Sequence, residues 1–408
     1  MSDLVKRELY LEKIRPFIGM PLIKVITGIR RCGKSSMFSQ IIDELVESGV
    51  GRDRVVRLSL DNIANAPLLD PARLYGHVID STPGPGKYFV FLDEVQNVTE
   101  WERVVNSLLQ EERLDIYISG SNSKMLSSEL ATFIAGRYVS IEMHTLSFRE
   151  FIEFKRRFAS YSGEGRDLLR DYIRRGGFPL ASAGDLSLVA ADMIVTDTYN
   201  SIFRRDTAER NGIRNTQLLE TIARFMFDNI GNPFSARSIS REFERQGTKL
   251  DAGRILQYLG FLEKAYLIRN VQRYDIRGKR IIGSEEKYYV SDVSLIYALN
   301  GFKKGMLSMI EENIVYLELL RRGYRVTTGR AASKGEVDFV AEKGGRTIYV
   351  QVTHMMPTKE TAEREFGSLE SIDDNYPKFV VVAEDGWPAD GAGIAQIGLA
   401  DFLLSDEY

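Results

Sequence analysis

The residues Gly28-Ile29-Arg30-Arg31-Cys32-Gly33-Lys34-Ser35 have the types and spacing to hold phosphate. Glycines at both ends of the run let the backbone turn successive N–H groups toward one anion. Ile29, Arg30, Arg31, Cys32 and Ser36 are therefore expected to line the same ligand as Gly28 and Gly33. Lys34 would neutralise charge on the β- and γ-phosphates, and the Ser35 hydroxyl would hold Mg2+. A second group of reactive side chains follows at Asp93 and Glu94. Asp93 suits water-mediated coordination of that Mg2+, and Glu94 suits a base that orients or deprotonates an attacking water. Cys32, the single cysteine, reads as a small loop residue.

These groups need elements to position them. The apolar run Ile23, Val25, Ile26 leads into the loop, and Met37, Phe38, Ile41, Ile42 and Leu45 repeat behind it at helical spacing. That is the strand–loop–helix setting the G-x-x-x-x-G-K-[ST] pattern requires. Tyr88–Glu94 (YFVFLDE) reads as a buried parallel strand ended by the two acids. A further strand, Val55–Leu60 (VVRLSL), separates the loop strand from the acidic strand in sequence. With the tandem acid, it resembles the additional-strand, catalytic-glutamate branch of P-loop ATPases. The strand Leu114–Ser119 runs into Gly120-Ser121-Asn122-Ser123. Its polar tip resembles the sensor-1 position of AAA-type ATPases, where a polar side chain touches the γ-phosphate or the attacking water; Asn122 is the candidate. A helix is expected over Met125–Ala135, followed by Gly136-Arg137. Arg137 is the candidate for the extra cation that transition-state charge calls for, reaching the γ-phosphate in cis or in trans.

Taken together, GIRRCGKSS, FLDEVQ, SGSNS, GRYVSIEMHTLSFREF and RRGGFP (Arg174–Pro179) resemble the prokaryotic AAA-type ATP-binding proteins that carry a largely uncharacterised C-terminal domain. The resemblance covers essentially the whole chain. It implies a multidomain α/β protein: a P-loop parallel-sheet ATPase core, a helical lid, a winged helix and a restriction-endonuclease-like domain. The corresponding ranges are 1–160, 161–214, 215–285 and 286–408. ATP and Mg2+ are the implied ligand and cofactor.

Residues Asp167–Asn211 are helical in pattern and rich in arginine, with a tight turn at Gly176-Gly177-Phe178-Pro179. Three helices follow, Leu218–Ile230, Ser235–Phe243 and Leu250–Leu267, then a charged hairpin Arg269–Tyr289 turning near Arg277-Gly278-Lys279. This order reads as a winged helix. Residues 215–283 hold 12 Lys+Arg against 7 Asp+Glu, the local basic balance that contact with a DNA backbone requires. Docking on a protein partner or on the chain's own ATPase domain is the alternative use.

The last segment alternates helix (Glu311–Arg322), strands (Tyr324–Thr328, Glu336–Ala341, Thr347–Thr353), helix (Glu360–Ile372) and strand (Lys378–Ala383). It resembles the PD-(D/E)xK nuclease fold, which implies a Mg2+ site built from a helix acid, a strand Asp and a Glu-x-Lys. Glu318 or Glu312 would be the helix acid and Asp338 the strand Asp. Gln351-Val352-Thr353 stands where Glu-x-Lys is expected, and Thr353 cannot supply the lysine's charge. With 13 Lys+Arg against 20 Asp+Glu in residues 286–408, this points to a degenerate nuclease fold. Glu336, two residues before Asp338, leaves a migrated metal site as the alternative.

Composition narrows the classes. At 408 residues the chain suits two or three domains. Its 54 Lys+Arg against 57 Asp+Glu leave no global basic field, so nucleic-acid contact must rest on a local patch. One cysteine and three histidines (His77, His144, His354) argue against a disulfide framework or structural zinc. The charged N-terminus lacks a signal-peptide core and no apolar run approaches a membrane span, so a cytoplasmic protein without membrane contact is expected. The sequence thus leads to an ATP-hydrolysing switch with a DNA-associated output, or a slow ATP-liganded module that recruits a partner or its own copies. A Mg2+-dependent nuclease is the third reading.

Overall fold

The computed structural model describes residues 5–123, 136–159, 165–245, 247–331, 335–384 and 393–407. The expected helix over Met125–Ala135 lies outside the described residues. The chain forms two compact units, Met1–His144 with Lys264–Tyr266, and Thr145–Glu263 with Leu267–Tyr408.

In the first unit, helix α1 (Glu8–Ile14) precedes strand β1 (Ile23–Thr27), helix α2 (Lys34–Glu47), β2 (Val55–Ser59), α3 (Pro71–Asp80), β3 (Tyr88–Asp93), α4 (Trp101–Leu109), β4 (Leu114–Gly120) and β5 (Tyr138–Glu142). The five strands make one parallel sheet in the order β2-β3-β4-β1-β5. Strands β1, β3 and β4 are buried along their whole length, which is why they read as unbroken apolar runs. The core packs Val25, Val90, Ile116 and Ile118 against Leu74 of α3 and Leu108 of α4. Near Phe91, the Tyr117 ring stacks at 4.5 Å and the Phe38 ring of α2 meets it edge-on at 5.2 Å. The strand that separates the loop strand from the acidic strand in space is β4; Val55–Ser59 lies at the sheet edge.

The second unit begins with α5 (Phe148–Phe158), closed at its N-terminus by a reciprocal Ser147/Glu150 capping box. It continues through α6 (Gly165–Arg175), α7 (Pro179–Ser182), α8 (Leu188–Ser201), a π-helical turn Ile202–Ala208, and α9 (Thr216–Asp228). The turn expected at Gly176-Gly177 is tight for a visible reason: a Cβ on Gly176 would lie 2.0 Å from an Asp292 carboxylate oxygen, and one on Gly177 would lie 2.4 Å from the Leu146 carbonyl oxygen. After strand β6 (Pro233–Phe234) come α10 (Ala236–Arg245), α11 (Ala252–Lys264), and the hairpin β7 (Ile268–Asp275) and β8 (Arg280–Val290). Helices α12 (Ser294–Asn300) and α13 (Leu307–Arg321) lead to β9 (Arg325–Ala331), β10 (Gly335–Lys343), β11 (Arg346–Thr353), α14 (Lys359–Glu370), β12 (Lys378–Val382), β13 (Ile394–Gly398) and α15 (Leu399–Leu404).

Among the described residues, the eight strands of this unit join one mixed sheet, ordered β13-β12-β11-β10-β9-β7-β8-β6. The hairpin and the C-terminal strands share it because β7 pairs in parallel with β9, Arg273 opposite Thr328. Strand β8 runs from Arg280 to Val290 in this sheet, and the first unit ends at His144. Among the described residues no helix is long and apolar enough to cross a membrane.

Candidate functional site

In an open parallel sheet, the C-terminal strand ends are where ligand-binding loops gather. The Gly28–Gly33 loop follows β1, Glu94 follows β3, and Ser121 and Asn122 follow β4 at that edge. Gly28 has φ +142, and a Cβ there would sit 2.1 Å from the Met143 carbonyl oxygen. Gly33 has φ +111 and stands at the N-cap of α2, where it has no side chain of its own to occupy the positive end of the helix. Arg31 also adopts a left-handed φ of 66°. The loop is thus a glycine-shaped turn at a helix N-terminus, and it fits a phosphate chain.

Lys34 is buried, and its ammonium donates to the carbonyls of Gly28 (3.0 Å) and Ile29 (3.3 Å) while facing a Glu94 carboxylate oxygen at 3.6 Å. Burial pushes the Glu94 carboxyl up, but Lys34, Gln96, Arg30 and Ser121 outweigh it, so the acid is held below its usual range and stays ionised. Gln96 donates to Glu94 from two residues ahead, and the Ser121 hydroxyl donates at 3.1 Å. Glu94 itself takes a left-handed φ of 54°, an uncommon conformation for a non-glycine that turns it out of the strand line. Asp93 is buried and accepts from the Ser119 hydroxyl, whose oxygen also accepts the Glu94 N–H at 3.1 Å. Asn122 is buried just beyond β4. Ser35 and Ser36 open α2, with the Ser35 carbonyl accepting from Arg57 at 2.8 Å.

The structure thus brings Lys34, Glu94 and Ser121 into contact and ties Asp93 to them through Ser119. It does not bring Arg137 there. Strands β1 and β5 run parallel, with Ile23 opposite Tyr138 and Thr27 opposite Glu142. Arg137 precedes that register and the loop follows it. At about 3.3 Å per residue the separation is on the order of 15–20 Å, too far for an arginine side chain. Arg137 instead donates to Asn106 Oδ1 at 3.1 Å, so the expected cis contact with the γ-phosphate is ruled out by the strand register.

In the second unit Asp338 of β10, Gln351 of β11, Glu336 and Glu312 converge with a residue the sequence reading did not single out, Lys287 of β8. Its buried ammonium lies 2.6 Å from Glu336, 3.1 Å from Glu312 and 3.8 Å from Asp338. The Gln351 side-chain oxygen accepts the Asp338 N–H at 3.3 Å, and an Asp338 oxygen accepts the Val352 N–H at 2.8 Å. Burial and Glu312 push the Asp338 carboxyl up, against Lys287 and the Val352 N–H. Burial opposes the Lys287 charge, but Glu312, Asp338 and Glu336 more than restore it. Glu318 is not part of this cluster: it pairs with Arg321 (3.3 Å) and Arg322 (2.9 Å). Six residues along an α-helix rotate a side chain well away from Glu312's face, so of the two candidate helix acids Glu312 is the one at the cluster. Among the described residues no group of three or more His, Cys, Asp or Glu is arranged to hold a metal ion; here Lys287 fills the space between the carboxylates.

Sequence reasoning missed Lys287, Arg7, Gln40, Ser119 and the orienting role of Gln96. Gln96 and Ser121 had a local signal, since both sit inside the quoted motifs. Lys287 and Arg7 had none, because their partners lie 25 to 137 residues away.

A family model described as an AAA domain matches residues 21–152, and one described as a domain of unknown function (DUF8612) matches residues 166–305. An uncharacterised protein of Haemophilus influenzae is 34% identical over 402 residues, covering 98% of this chain and 99% of that protein. An uncharacterised protein of Methanocaldococcus jannaschii is 32% identical over 313 residues, 74% of this chain and 67% of that protein. The solved structure of a Walker-type ATPase of Pyrococcus abyssi covers 73% of this chain and 96% of its own, with a TM-score of 0.51 at 15% identity, a likeness of fold.

Proposed function

This chain belongs to the family of its Haemophilus influenzae relative and carries an AAA domain over residues 21–152, and we propose that it binds ATP with Mg2+ and hydrolyses it. The observation that carries the reading is the Lys34–Glu94 approach at 3.6 Å beside a glycine-shaped loop at the N-terminus of α2. In this reading the loop N–H groups from Gly28 to Ser36 grip the phosphates, and Lys34 leaves Glu94 for the β- and γ-phosphate oxygens. Ser35 and, through water, Asp93 would hold Mg2+, which would draw charge from the phosphates when bound. Glu94, released from Lys34 but still oriented by Gln96 and Ser121, accepts the proton of the attacking water. Asn122 orients that water or the γ-phosphate. Arg137 serves only in trans, which would require an assembly of copies.

Steady phosphate release by the native chain, Lys34→Ala and Glu94→Gln tests the assignment. Glu94→Gln is expected to keep ATP affinity and lose roughly 10²–10⁴-fold in turnover; Lys34→Ala is expected to lose affinity as well. Equal release from all three would sink it, and tight ATP binding with turnover near zero in the native chain would favour the slow ATP-liganded module.

For the output, we propose that α9, α10, α11 and the β7–β8 hairpin act as a winged helix on a nucleic-acid backbone. Arg237 and Arg241 of α10, Lys249 and Arg254 are all exposed, which supports that use. The same turnover assay with duplex or single-stranded DNA reads it: stimulation that fades with salt is expected, and no response to either DNA would leave a protein partner as the output. The sheet that follows is read as a nuclease-like fold in which Lys287 has taken the central position, so Mg2+ does not fit between the carboxylates and no cleavage is expected.

A further inference from the structure

Arg7 lies in the charged N-terminal segment yet is only 3% exposed. One of its guanidinium nitrogens donates to the Cys32 carbonyl at 2.9 Å and to the His144 carbonyl at 3.0 Å. The guanidinium rests over the Tyr10 ring, 4.7 Å from its centroid, and the Tyr10 hydroxyl accepts the His144 N–H at 3.0 Å. Gln40 of α2 braces the segment: its side-chain oxygen accepts the Arg7 N–H and its amide donates to the Val5 carbonyl, both at 2.9 Å. Residues Val5–Tyr10 therefore close against the back of the glycine loop.

The consequence follows from peptide geometry. The Cys32–Gly33 peptide is planar and trans, so its C=O and N–H point in opposite directions. Gly33 is the residue around which this peptide can most readily flip, because a glycine tolerates both signs of φ. Fixing the carbonyl by a charge-assisted hydrogen bond on the outer side turns the Gly33 N–H inward, to the side where the ligand lies. We propose that Arg7 is a positioning residue for nucleotide: it holds the Cys32–Gly33 peptide in the phosphate-binding orientation and shields Cys32 beneath it. The proposal rests on the ATP reading above for its ligand, and on geometry alone for the clasp.

Arg7→Met removes both hydrogen bonds while keeping much of the side chain's bulk, and Arg7→Lys keeps the charge. Melting curves establish that each variant is folded; if Arg7→Met is not, Arg7→Lys carries the test. The expected result is a KM for ATP raised about tenfold or more in Arg7→Met and less in Arg7→Lys, with turnover at saturation within about threefold, since bonds to charged groups of this kind are worth that much. A merely structural arginine would lower turnover through lost active protein and leave KM unchanged, and that pattern would overturn the proposal.

A second readout needs no nucleotide. Cys32 is the single cysteine and is fully buried, so the rate at which a thiol reagent labels the protein reports on opening around this loop, and the same melting curves give the share due to global unfolding. Labelling about tenfold faster in the Arg7 variants is expected, on the same hydrogen-bond argument. Unchanged labelling would overturn the clasp, whereas accelerated labelling in a chain that binds no ATP would refute the ATP reading and leave the clasp standing.

Discussion

A single atom decides the behaviour of the phosphate loop at Gly28. Any side chain there meets the Met143 carbonyl oxygen at 2.1 Å, and its φ of +142 is one that L-residues rarely adopt. Backbone, unlike a flexible side chain, cannot move aside, so Gly28→Ala should displace β5 from β1 or distort the loop. The expected outcome is a loss of ATP affinity of tenfold or more, together with destabilisation of about 1–3 kcal/mol. Isothermal titration with a non-cleavable analogue and a denaturant melt check the two effects, and unchanged affinity would show that the loop does not need this close approach. Gly28 and Lys34 were legible in the sequence because a loop between strand and helix carries its own geometry locally. Glu94 was legible as an acid at a strand end. Ser121 was legible as a polar residue at the tip of the next strand, but its pairing with Glu94 and the left-handed φ of Glu94 were not, because the pairing depends on where β4 lies beside β3.

The strands and helices were legible for a related reason: buried parallel strands and amphipathic helices announce themselves in their own composition. Hence β3, β4, the helices α9 to α11 and the strands β9 to β12 fall within a few residues of their expected positions. Pairings between distant elements had no such signal. Lys24 of β1 and Asp115 of β4 form a fully buried ion pair, with Asp115 also accepting from the Gly19 N–H at 2.8 Å, and nothing near either residue marks it. Lys287 is the case with the most consequence. From the sequence a nuclease-like arrangement lacking its lysine was expected, and the sheet order brings an ammonium in among the carboxylates from the preceding hairpin. Removing one partner of a buried charge cluster leaves the others uncompensated, so Lys287→Met should cost about 3–5 kcal/mol by chemical denaturation. Three carboxylates left facing one another would then recruit an outside cation. Millimolar Mg2+ or Mn2+ is expected to raise the melting temperature of Lys287→Met and not that of the native chain. A Lys287→Met protein as stable as the native chain would show that the cluster carries no electrostatic weight.

Over the whole molecule the charges nearly cancel, 54 basic against 57 acidic residues. Net repulsion therefore cannot dominate the pH dependence of stability, and individual buried groups must set it. Glu311 of α13 is the clearest of these. Burial raises its carboxyl from 4.5 to about 7, with Glu384 adding to the rise and His354, whose Nδ1 lies 2.9 Å away, opposing it. A group whose pKa is higher in the folded chain binds its proton more tightly there. Its stabilising contribution is complete below the unfolded value of 4.5 and is lost as pH rises through about 7. Glu311→Gln keeps the shape and a hydrogen-bonding side chain but removes the titration. It should match the native chain near pH 4.5 and become progressively more stable relative to it up to pH 8, by an amount on the order of 3 kcal/mol. Paired urea melts of the two proteins across that range measure the difference directly. A gap that stays constant with pH would mean that Glu311 titrates alike in the folded and unfolded chains.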